Sequence, residues 1–215
     1  MKRVLCFGLT LAMMTLLMTS ALAVDSEDIV IPETAKMEVV DGVKVYSDFT
    51  DTVGNYYDYY NPEDGSYFRW KHSVNANNSA NAEVTAASAY TLIREFEFKF
   101  ARSSLNGKDN NSTFKISYDA GRFSVSSYLY DHYQGKEVTT DESYGFTVKL
   151  IQDKFGFDKT IATLNTETGS ADTKSFTCTK DKSYYFVMTP TDTLPDNTST
   201  HMYYYKGDGS IEGKT

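Results

Sequence analysis

The hexapeptide EFEFKF, residues 95–100, decides the fold class. Its apolar and charged residues alternate strictly, so that Phe96, Phe98 and Phe100 share one face while Glu95, Glu97 and Lys99 share the other. In a β-strand successive side chains point to opposite faces, whereas an α-helix would spread the three rings around most of its circumference. The stretch therefore predicts a strand in an antiparallel sheet that is solvated on one face and packed on the other. It also predicts a second layer of structure that covers the three rings.

Short alternating segments separated by turn residues lie on both sides of this strand. Asp41-Gly42 is a two-residue hairpin turn, and it predicts a first hairpin over residues 37–46. The other predicted segments are hairpins over 114–129 and 175–189 and single strands at 67–74, 146–150, 160–164 and 202–205. About ten short strands without a convincing helix predict an all-β protein, an antiparallel β-sandwich or jelly roll.

Three segments lack a clear period, and each is interpreted from its composition and its neighbours. Residues 51–65 mix tyrosines with turn-forming residues, which predicts a long loop. Residues 83–93 carry alanines that suit a helix and β-branched residues that suit a strand. Because they run without a break into the strand at 95–100, a strand is favoured. Gly207-Asp208-Gly209 predicts a turn that closes the chain after the last strand.

The N-terminus has the pattern of a secretory signal peptide. Lys2 and Arg3 precede an almost uninterrupted apolar run from Val4 to Met18, and Ala21-Leu22-Ala23 supplies a small-residue cleavage site. An uncleaved membrane anchor is the alternative, but the apolar run is short for a transmembrane span. The protein is therefore expected to be exported, without a stable membrane anchor. Its expected parts are a signal peptide (1–23), an extended acidic segment (24–36) and a single β-sandwich domain (37–215).

Charge and cysteine content exclude several classes of protein. The full sequence has a net charge of −8, and loss of Lys2 and Arg3 with the signal peptide leaves 19 basic and 29 acidic residues. An acidic exported protein does not hold nucleic acid or an anionic membrane by its overall electrostatics. Cleavage also removes Cys6 and leaves Cys178 without a partner for an internal disulfide. Cys178 alternates with Phe176, which predicts a small core residue rather than a nucleophile.

Metal-binding residues do not cluster in the sequence. None of the three histidines, His72, His132 and His201, has a second histidine or a cysteine at ligand spacing. Calcium fits better because oxygen ligands are abundant, but no D-x-D-x-D-G loop is present. The candidate oxygen ligands are Asp58, Asp64, Asp109, Asp119 and Asp208. No metal site or cofactor is assigned, and calcium stays an alternative.

Catalytic signatures are equally sparse. The chain has no G-x-S-x-G motif and no glycine-rich nucleotide loop. A glycosidase needs two carboxylates that face a cleft, and pairs such as Glu95 and Glu97 are available. A solvated sheet face explains that pair as well. No catalytic residue is assigned, and a non-enzymatic role is favoured.

Tyrosine is the feature that rises above background, with 17 residues and many of them adjacent in the sequence. Four of these rings lie within residues 56–60, beside Asn61. An outward tyrosine offers a flat apolar face and a hydroxyl, which suits sugar rings and protein partners alike. The predicted ligand-binding residues are Tyr56, Tyr57, Tyr59, Tyr60 and Trp70. The alternative is that tyrosine, a good β-former, simply covers the sheets.

Three functions remain open on this evidence. The favoured one is an exported, soluble, non-catalytic binding module that recognises a glycan or a protein partner through exposed tyrosines. The second is a secreted glycan-active hydrolase that uses paired carboxylates, and the third is a surface or structural protein with no small ligand. A concave groove lined by aromatic residues would favour the first, and two carboxylates in a cleft would favour the second.

Overall fold

The described chain forms an antiparallel β-sandwich. In the computed structural model, residues 29–40, 43–52, 54–71, 89–101, 104–107 and 113–215 are described, and within them the chain forms fifteen strands and no helix. The strands are β1 (Lys36–Val40), β2 (Val43–Ser47), β3 (Phe49–Thr50), β4 (Tyr56–Tyr60), β5 (Tyr67–Trp70), β6 (Tyr90–Phe100), β7 (Leu105–Asn106), β8 (Phe114–Ile116), β9 (Ala120–Asp131), β10 (Lys136–Glu137), β11 (Gly145–Gln152), β12 (Lys159–Glu167), β13 (Ala171–Thr177), β14 (Lys182–Pro190) and β15 (Tyr203–Lys214). The predicted all-β fold class is confirmed. Within the same residues, no helix has the length and apolarity that a membrane span requires.

The two sheets differ in size. The larger sheet has ten strands in the order β1-β2-β4-β5-β6-β15-β9-β10, with β3 beside β4 and β13 beside β9. The smaller sheet has five strands in the order β12-β11-β14-β7, with β8 also beside β14. The C-terminal strand β15 lies between β6 and β9, so the end of the chain forms the middle of the larger sheet.

The three phenylalanines of the EFEFKF stretch fill the space between the sheets. Phe96, Phe98 and Phe100 are at most 1% exposed. Ring centroids of Phe98 and Phe146 are 5.9 Å apart, and those of Phe96 and Phe186 are 5.1 Å apart, so β6 packs directly on β11 and β14. The predicted covering layer is therefore confirmed as the smaller sheet.

Two glycines allow β15 to run through the centre of the larger sheet. A Cβ atom on Gly207 would lie 2.8 Å from Cζ of Phe98, and one on Gly209 would lie 2.7 Å from Cε2 of Phe96. The phenylalanine rings of β6 thus cover the bare backbone of the neighbouring strand. The predicted closing turn at 207–209 is wrong, because glycine marks a close approach of side chains as well as a turn.

Two of the three predicted hairpins are also wrong. Strand β8 pairs with β14 in the smaller sheet, whereas β9 joins the larger sheet, so the segment 117–119 crosses from one sheet to the other. Likewise β13 pairs with β9 and β14 pairs with β11, so 178–181 crosses between sheets. Alternation shows that a strand has one buried face. It does not show which sheet the strand joins, because both sheets bury their apolar side chains in the same core. The first hairpin is confirmed, with Val40 opposite Val43.

The predicted loop at 51–65 contains the strand β4, which is a second correction to the local assignments. Tyr56 pairs with Trp70 and Tyr60 pairs with Tyr67, with a bulge between Tyr57 and Tyr59. The bulge breaks the period of two, which is why the alternation was not visible in the sequence. At 83–93 the strand interpretation is confirmed for residues 90–93, while 83–88 lie outside the described residues.

The remaining sequence predictions fall partly outside the described residues. The signal peptide at 1–23, His72 and Asp109 are among those left out. From the acidic segment at 24–36, Ile29, Ile31 and Ala35 pack against a small apolar cluster formed by Phe49, Tyr57 and Tyr67. These last three residues lie on the larger sheet, on the side away from the main core.

Cys178 is half-buried and packs against the main core, as predicted. Its Sγ donates a hydrogen bond to the Tyr118 carbonyl oxygen at 3.2 Å. Burial raises the pKa of the thiol. A protonated thiol that is already hydrogen-bonded is a poor nucleophile, which agrees with a packing role.

Candidate functional site

The larger sheet has one face against the core and one face that turns away from it, which we call the outer face. A shallow groove of about 190 Å³ lies on the outer face, over the middle strands. We call it the outer groove. The polar residues that line it are Glu95, Ser124, Ser126, Asp172, Thr173, Asp208 and Ser210. The Asp172 carboxylate accepts hydrogen bonds from the hydroxyls of Thr166 and Ser170, at 2.7 Å each.

Strand register brings these small polar residues together. They come from β6, β15, β9 and β13, which lie side by side. One row across the four strands contains Glu95, Ser210, Ser124 and Thr173, and the next row contains Glu97, Asp208, Ser126 and Ala171. On β6, β15 and β9 these residues alternate with buried residues, so their side chains point to the outer face, and Ala171 and Thr173 lie in register beside them on β13. The hydroxyls of Ser124 and Thr173 are 2.8 Å apart and hydrogen-bond across the strands.

Glu97, at one side of the groove, is neutralised by two cations. Its carboxylate accepts a hydrogen bond from Nε of Arg69 at 2.7 Å and lies 3.4 Å from Nζ of Lys71. Burial alone would raise the pKa of Glu97, but the charges and hydrogen bonds of Arg69 and Lys71 outweigh it and lower the pKa. The Arg69 guanidinium in turn lies over the rings of Tyr57 and Tyr67. Glu97 is therefore part of a structural ion pair rather than a free acid.

Glu95 and Asp208 differ from Glu97. Both are exposed in the groove, and within the described ranges neither side chain has a hydrogen-bond or charged partner. Asp208 lies directly opposite Glu97 on the neighbouring strand. Like charges in that position destabilise a sheet, and the cations that offset this repulsion, Arg69 and Lys71, pair with Glu97 rather than with Asp208. What these two carboxylates offer is hydrogen-bond acceptors that face solvent beside serine hydroxyls.

A second shallow groove adjoins the first. It has a volume of about 130 Å³, and its lining includes Tyr128, Glu137, Thr140 and Glu142. Ser126 of the outer groove and Tyr128 are successive outward residues on β9, so they are about 7 Å apart along the strand. The Tyr128 ring meets Tyr130 edge to face at 6.4 Å. The two grooves share no lining residue, but the short step from Ser126 to Tyr128 along β9 places them end to end. We call the two together the track, with the Tyr128 ring on the side of the second groove that faces Ser126.

The predicted tyrosine site does not form one surface, because β4 sends adjacent rings to opposite faces. Tyr56, Tyr59 and Trp70 pack against the main core, whereas Tyr57 and Tyr60 belong to the small cluster on the outer face. Trp70 is 5% exposed and Tyr57 is not exposed at all. Burial, together with the hydrogen bond that its hydroxyl donates to Asp48, raises the pKa of Tyr56. The structure thus gives these rings packing roles, and ligand contact by any of the five stays a prediction.

A buried carboxylate ties the start of β15 to the turn at 132–135. Asp131 is 1% exposed and lies 2.5 Å from Nδ1 of His201. The backbone amides of Tyr133 and Met202 also donate to this carboxylate. Among the described residues, no serine, threonine or cysteine side chain hydrogen-bonds to His201, so the pair has no nucleophile to activate. The contacts of Asp131 with His201, Tyr133 and Met202 therefore stabilise the structure, and we call them the clasp.

This clasp predicts an acid-sensitive contribution to stability. Burial alone would raise the pKa of Asp131, but the hydrogen bonds from His201, Met202 and Gln134 lower it overall. The contribution is therefore present above the unfolded-state pKa of about 4 and is lost as the pH falls through the lower folded-state pKa. We expect Asp131→Asn to reduce the free energy of unfolding at pH 7 by about 2 kcal/mol, as measured by urea denaturation. The deficit should shrink at pH 2–3, whereas the exposed control Asp141→Asn should match the wild type throughout. Equal stabilities of both variants at pH 7 would refute the clasp.

Metal ligands do not converge in the described part of the chain. No group of three or more histidine, cysteine, aspartate or glutamate side chains there is placed to hold an ion. The predicted oxygen ligands are separated: Asp58 is buried at the β4 bulge, Asp64 bonds the amide of Ser66 in a turn, and Asp208 lies in the outer groove.

The outer groove was only partly visible in the sequence. Alternation predicts that Glu95 lies on an exposed sheet face, and Asp208 is among the candidate oxygen ligands, but no motif in the sequence distinguishes Ser124, Ser126 and Ser210. Their signal is a run of small polar residues between core positions, which becomes a surface only when the register is known. No protein-family model matches the sequence, and no curated protein matches it significantly.

Proposed function

We propose that this protein is an exported, non-catalytic binding module that recognises a glycan in the outer groove. The observation that carries the proposal is the pair of exposed carboxylates, Glu95 and Asp208, beside serine and threonine hydroxyls in an open groove. Sugar hydroxyls both donate and accept hydrogen bonds, so they complement such a lining. Tyr128 adds an aromatic ring at the junction of the two grooves, where an apolar sugar face can stack.

The same lining disfavours other ligand classes. Two uncompensated carboxylates and a net charge of −8 repel phosphates and nucleic acids. The groove also lacks the large apolar side chains that hold hydrophobic ligands. Four adjacent strands span about 14 Å, and the second groove extends the track further. An oligosaccharide segment of several units fits this length better than a single sugar.

The proposal predicts which side chains lower affinity when they are changed. In a screen against soluble neutral and basic polysaccharides, we expect Asp208→Asn and Tyr128→Ala each to weaken binding about tenfold. A hydrogen bond to a charged group is worth about 1.5–3 kcal/mol, and an aromatic ring contact adds about 0.5–1.5 kcal/mol to the area it buries. Tyr133→Ala is the matched control, since Tyr133 is 44% exposed but does not line either groove. Isothermal titration calorimetry would measure the affinities.

A different outcome would move or remove the site. If Tyr57→Ala/Tyr60→Ala abolishes binding while Asp208→Asn and Tyr128→Ala bind like the wild type, recognition takes place near β4 and the outer groove is not the site. The melting temperature of each variant must be compared first, because Tyr57 is a core residue.

A secreted glycan hydrolase is the second candidate. Glu95 lies opposite Ser210, two residues from Asp208, which is the diagonal position on the neighbouring strand. Diagonal Cβ atoms lie about 7 Å apart, so rotation of the two side chains can bring their carboxyl groups to the roughly 6.5–9.5 Å separation that inverting glycosidases use. This candidate predicts release of reducing sugar from a bound polysaccharide and its loss in Glu95→Gln. A polysaccharide that binds but is never cleaved would rule out the hydrolase and favour the binding module.

A further inference from the structure

The loop between β11 and β12 carries two fully solvent-exposed phenylalanines. Phe155 is 110% exposed and Phe157 is 90% exposed, whereas the next most exposed large apolar residue in the described ranges is Val39 at 62%. We call residues 153–158 the aromatic tip. In the described part of the chain, neither ring packs on another residue or lines the outer groove. Leaving two phenylalanine side chains in water forgoes the free energy that their burial would contribute.

The base of the aromatic tip is braced, so the rings are presented on a defined loop. The Asp158 carboxylate accepts hydrogen bonds from the Lys154 amide at 3.1 Å and from the Tyr185 hydroxyl at 3.0 Å. The Asp153 amide donates to the Ser183 carbonyl oxygen at 3.0 Å. Gly156 lies between the two rings at φ +96°, with no atoms within 4 Å of the position that a Cβ would occupy. The tip therefore protrudes as a narrow convex feature.

Lysines surround the base of the tip. Lys154 and Lys159 flank it in sequence, and Lys182 and Lys115 lie at the same end of the smaller sheet, where β14 pairs with β8. All four are exposed. The acids named at this end are Asp153, Asp158 and Asp181, so the four lysines exceed them by one charge. The local balance is thus basic in a chain whose net charge is −8.

We propose that the aromatic tip inserts Phe155 and Phe157 into the interfacial region of a lipid bilayer. Area decides between a bilayer and a protein partner. A stable protein interface needs about 800 Å² from each partner, whereas two phenylalanine rings supply at most about 500 Å². A convex tip with two phenylalanines suits interfacial insertion, because apolar side chains such as phenylalanine bury at the boundary between headgroups and acyl chains. Nearby lysines are attracted to anionic lipid headgroups.

The acidity of the whole protein does not prevent this contact. At physiological ionic strength the Debye length is about 8 Å, so the bilayer responds to charges near the tip rather than to distant ones. Binding of the protein to the bilayer is then reversible and peripheral. This proposal is independent of the glycan proposal, because the aromatic tip and the outer groove are different parts of the fold.

Vesicle binding of the exported form, which is expected to begin at Val24, tests the proposal. The probes are vesicles of phosphatidylcholine and of phosphatidylcholine with phosphatidylglycerol at 3:1, in 150 mM salt, analysed by co-sedimentation. We expect binding to both, tighter with phosphatidylglycerol, and a roughly hundredfold lower partition coefficient for Phe155→Ser/Phe157→Ser. Lys154→Gln/Lys159→Gln should remove the preference for phosphatidylglycerol only. The control Leu92→Ser removes another exposed apolar side chain, 53% exposed, and should bind like the wild type.

Insertion can be read out at the tip itself. Phe155→Trp should show a blue-shifted emission component when vesicles are added, since the indole leaves water. Three results would each overturn the proposal: a wild type that binds neither vesicle, a double serine variant that binds equally well, or no shift for Phe155→Trp. A lipid-free dimer that dissociates in Phe155→Ser/Phe157→Ser, detected by sedimentation velocity, would assign the tip to self-association instead.

Discussion

Replacing Gly209 with valine is expected to prevent stable folding. A Cβ at this position would lie 2.5 Å from the Ser124 carbonyl oxygen and 2.7 Å from Cε2 of Phe96. Neither neighbour can retreat, because Ser124 belongs to the adjacent strand and Phe96 is packed against the smaller sheet. We expect a loss of about 4 kcal/mol or more in the free energy of unfolding, beyond the usual 1–3 kcal/mol for overpacking. Urea denaturation followed by far-UV circular dichroism would measure it.

Ser210→Val is the matched control for this substitution. Ser210 is the next residue on β15 but points to the outer face, where it lines the outer groove. Its replacement should change the free energy of unfolding by no more than about 0.5 kcal/mol. A Gly209→Val protein that unfolds at the wild-type urea concentration would place β15 away from the centre of the sheet.

Phe98→Ala should cost about 3–5 kcal/mol, because it leaves a cavity in the middle of the aromatic core. Phe98 has no exposed surface, and its ring lies within 6.4 Å of the rings of Phe96, Phe100 and Phe146. Leu92→Ala, on the same strand, is the control, since Leu92 is 53% exposed. Thermal or urea denaturation should separate the two variants clearly. Similar losses in both would mean that β6 does not present Phe98 to the core.

Alternation was enough to predict the fold class but not the connections between strands. Phe96, Phe98 and Phe100 are buried as their period of two required. The same pattern in β8 and β14 could not say which sheet each strand joins, because both sheets bury their apolar side chains in one shared core. Pairing partners are set by long-range register, which local periodicity does not contain.

The two local errors have a common physical origin. At 207–209 the glycines predict a turn, yet in the structure they make room for the rings of Phe96 and Phe98. At 56–60, a bulge interrupts the alternation, so a strand resembled a loop. In both places, the decisive partner is on another strand. A correct prediction at either place needs knowledge of a contact between strands, which the local conformational preferences of the residues do not contain.

The candidate site was predictable only in its parts. Glu95 could be assigned to an exposed face, because it alternates with Phe96. That it shares a groove with Asp208 depends on the pairing of β6 with β15, which juxtaposes residues more than a hundred positions apart. The high number of tyrosines predicts a binding surface, but the four at 56–60 all pack against one of the two apolar clusters.

The location of ligand contacts on the larger sheet is the most direct test of the proposed function. An isotope-labelled sample would be titrated with an oligosaccharide from the best polysaccharide in the screen, and amide chemical shifts would be followed by NMR. The largest changes are predicted at Ser124, Ser126, Asp208 and Ser210, in neighbouring strands of the outer face. Changes confined to β4, to the aromatic tip or to the smaller sheet would contradict the assignment of the outer groove as the binding site.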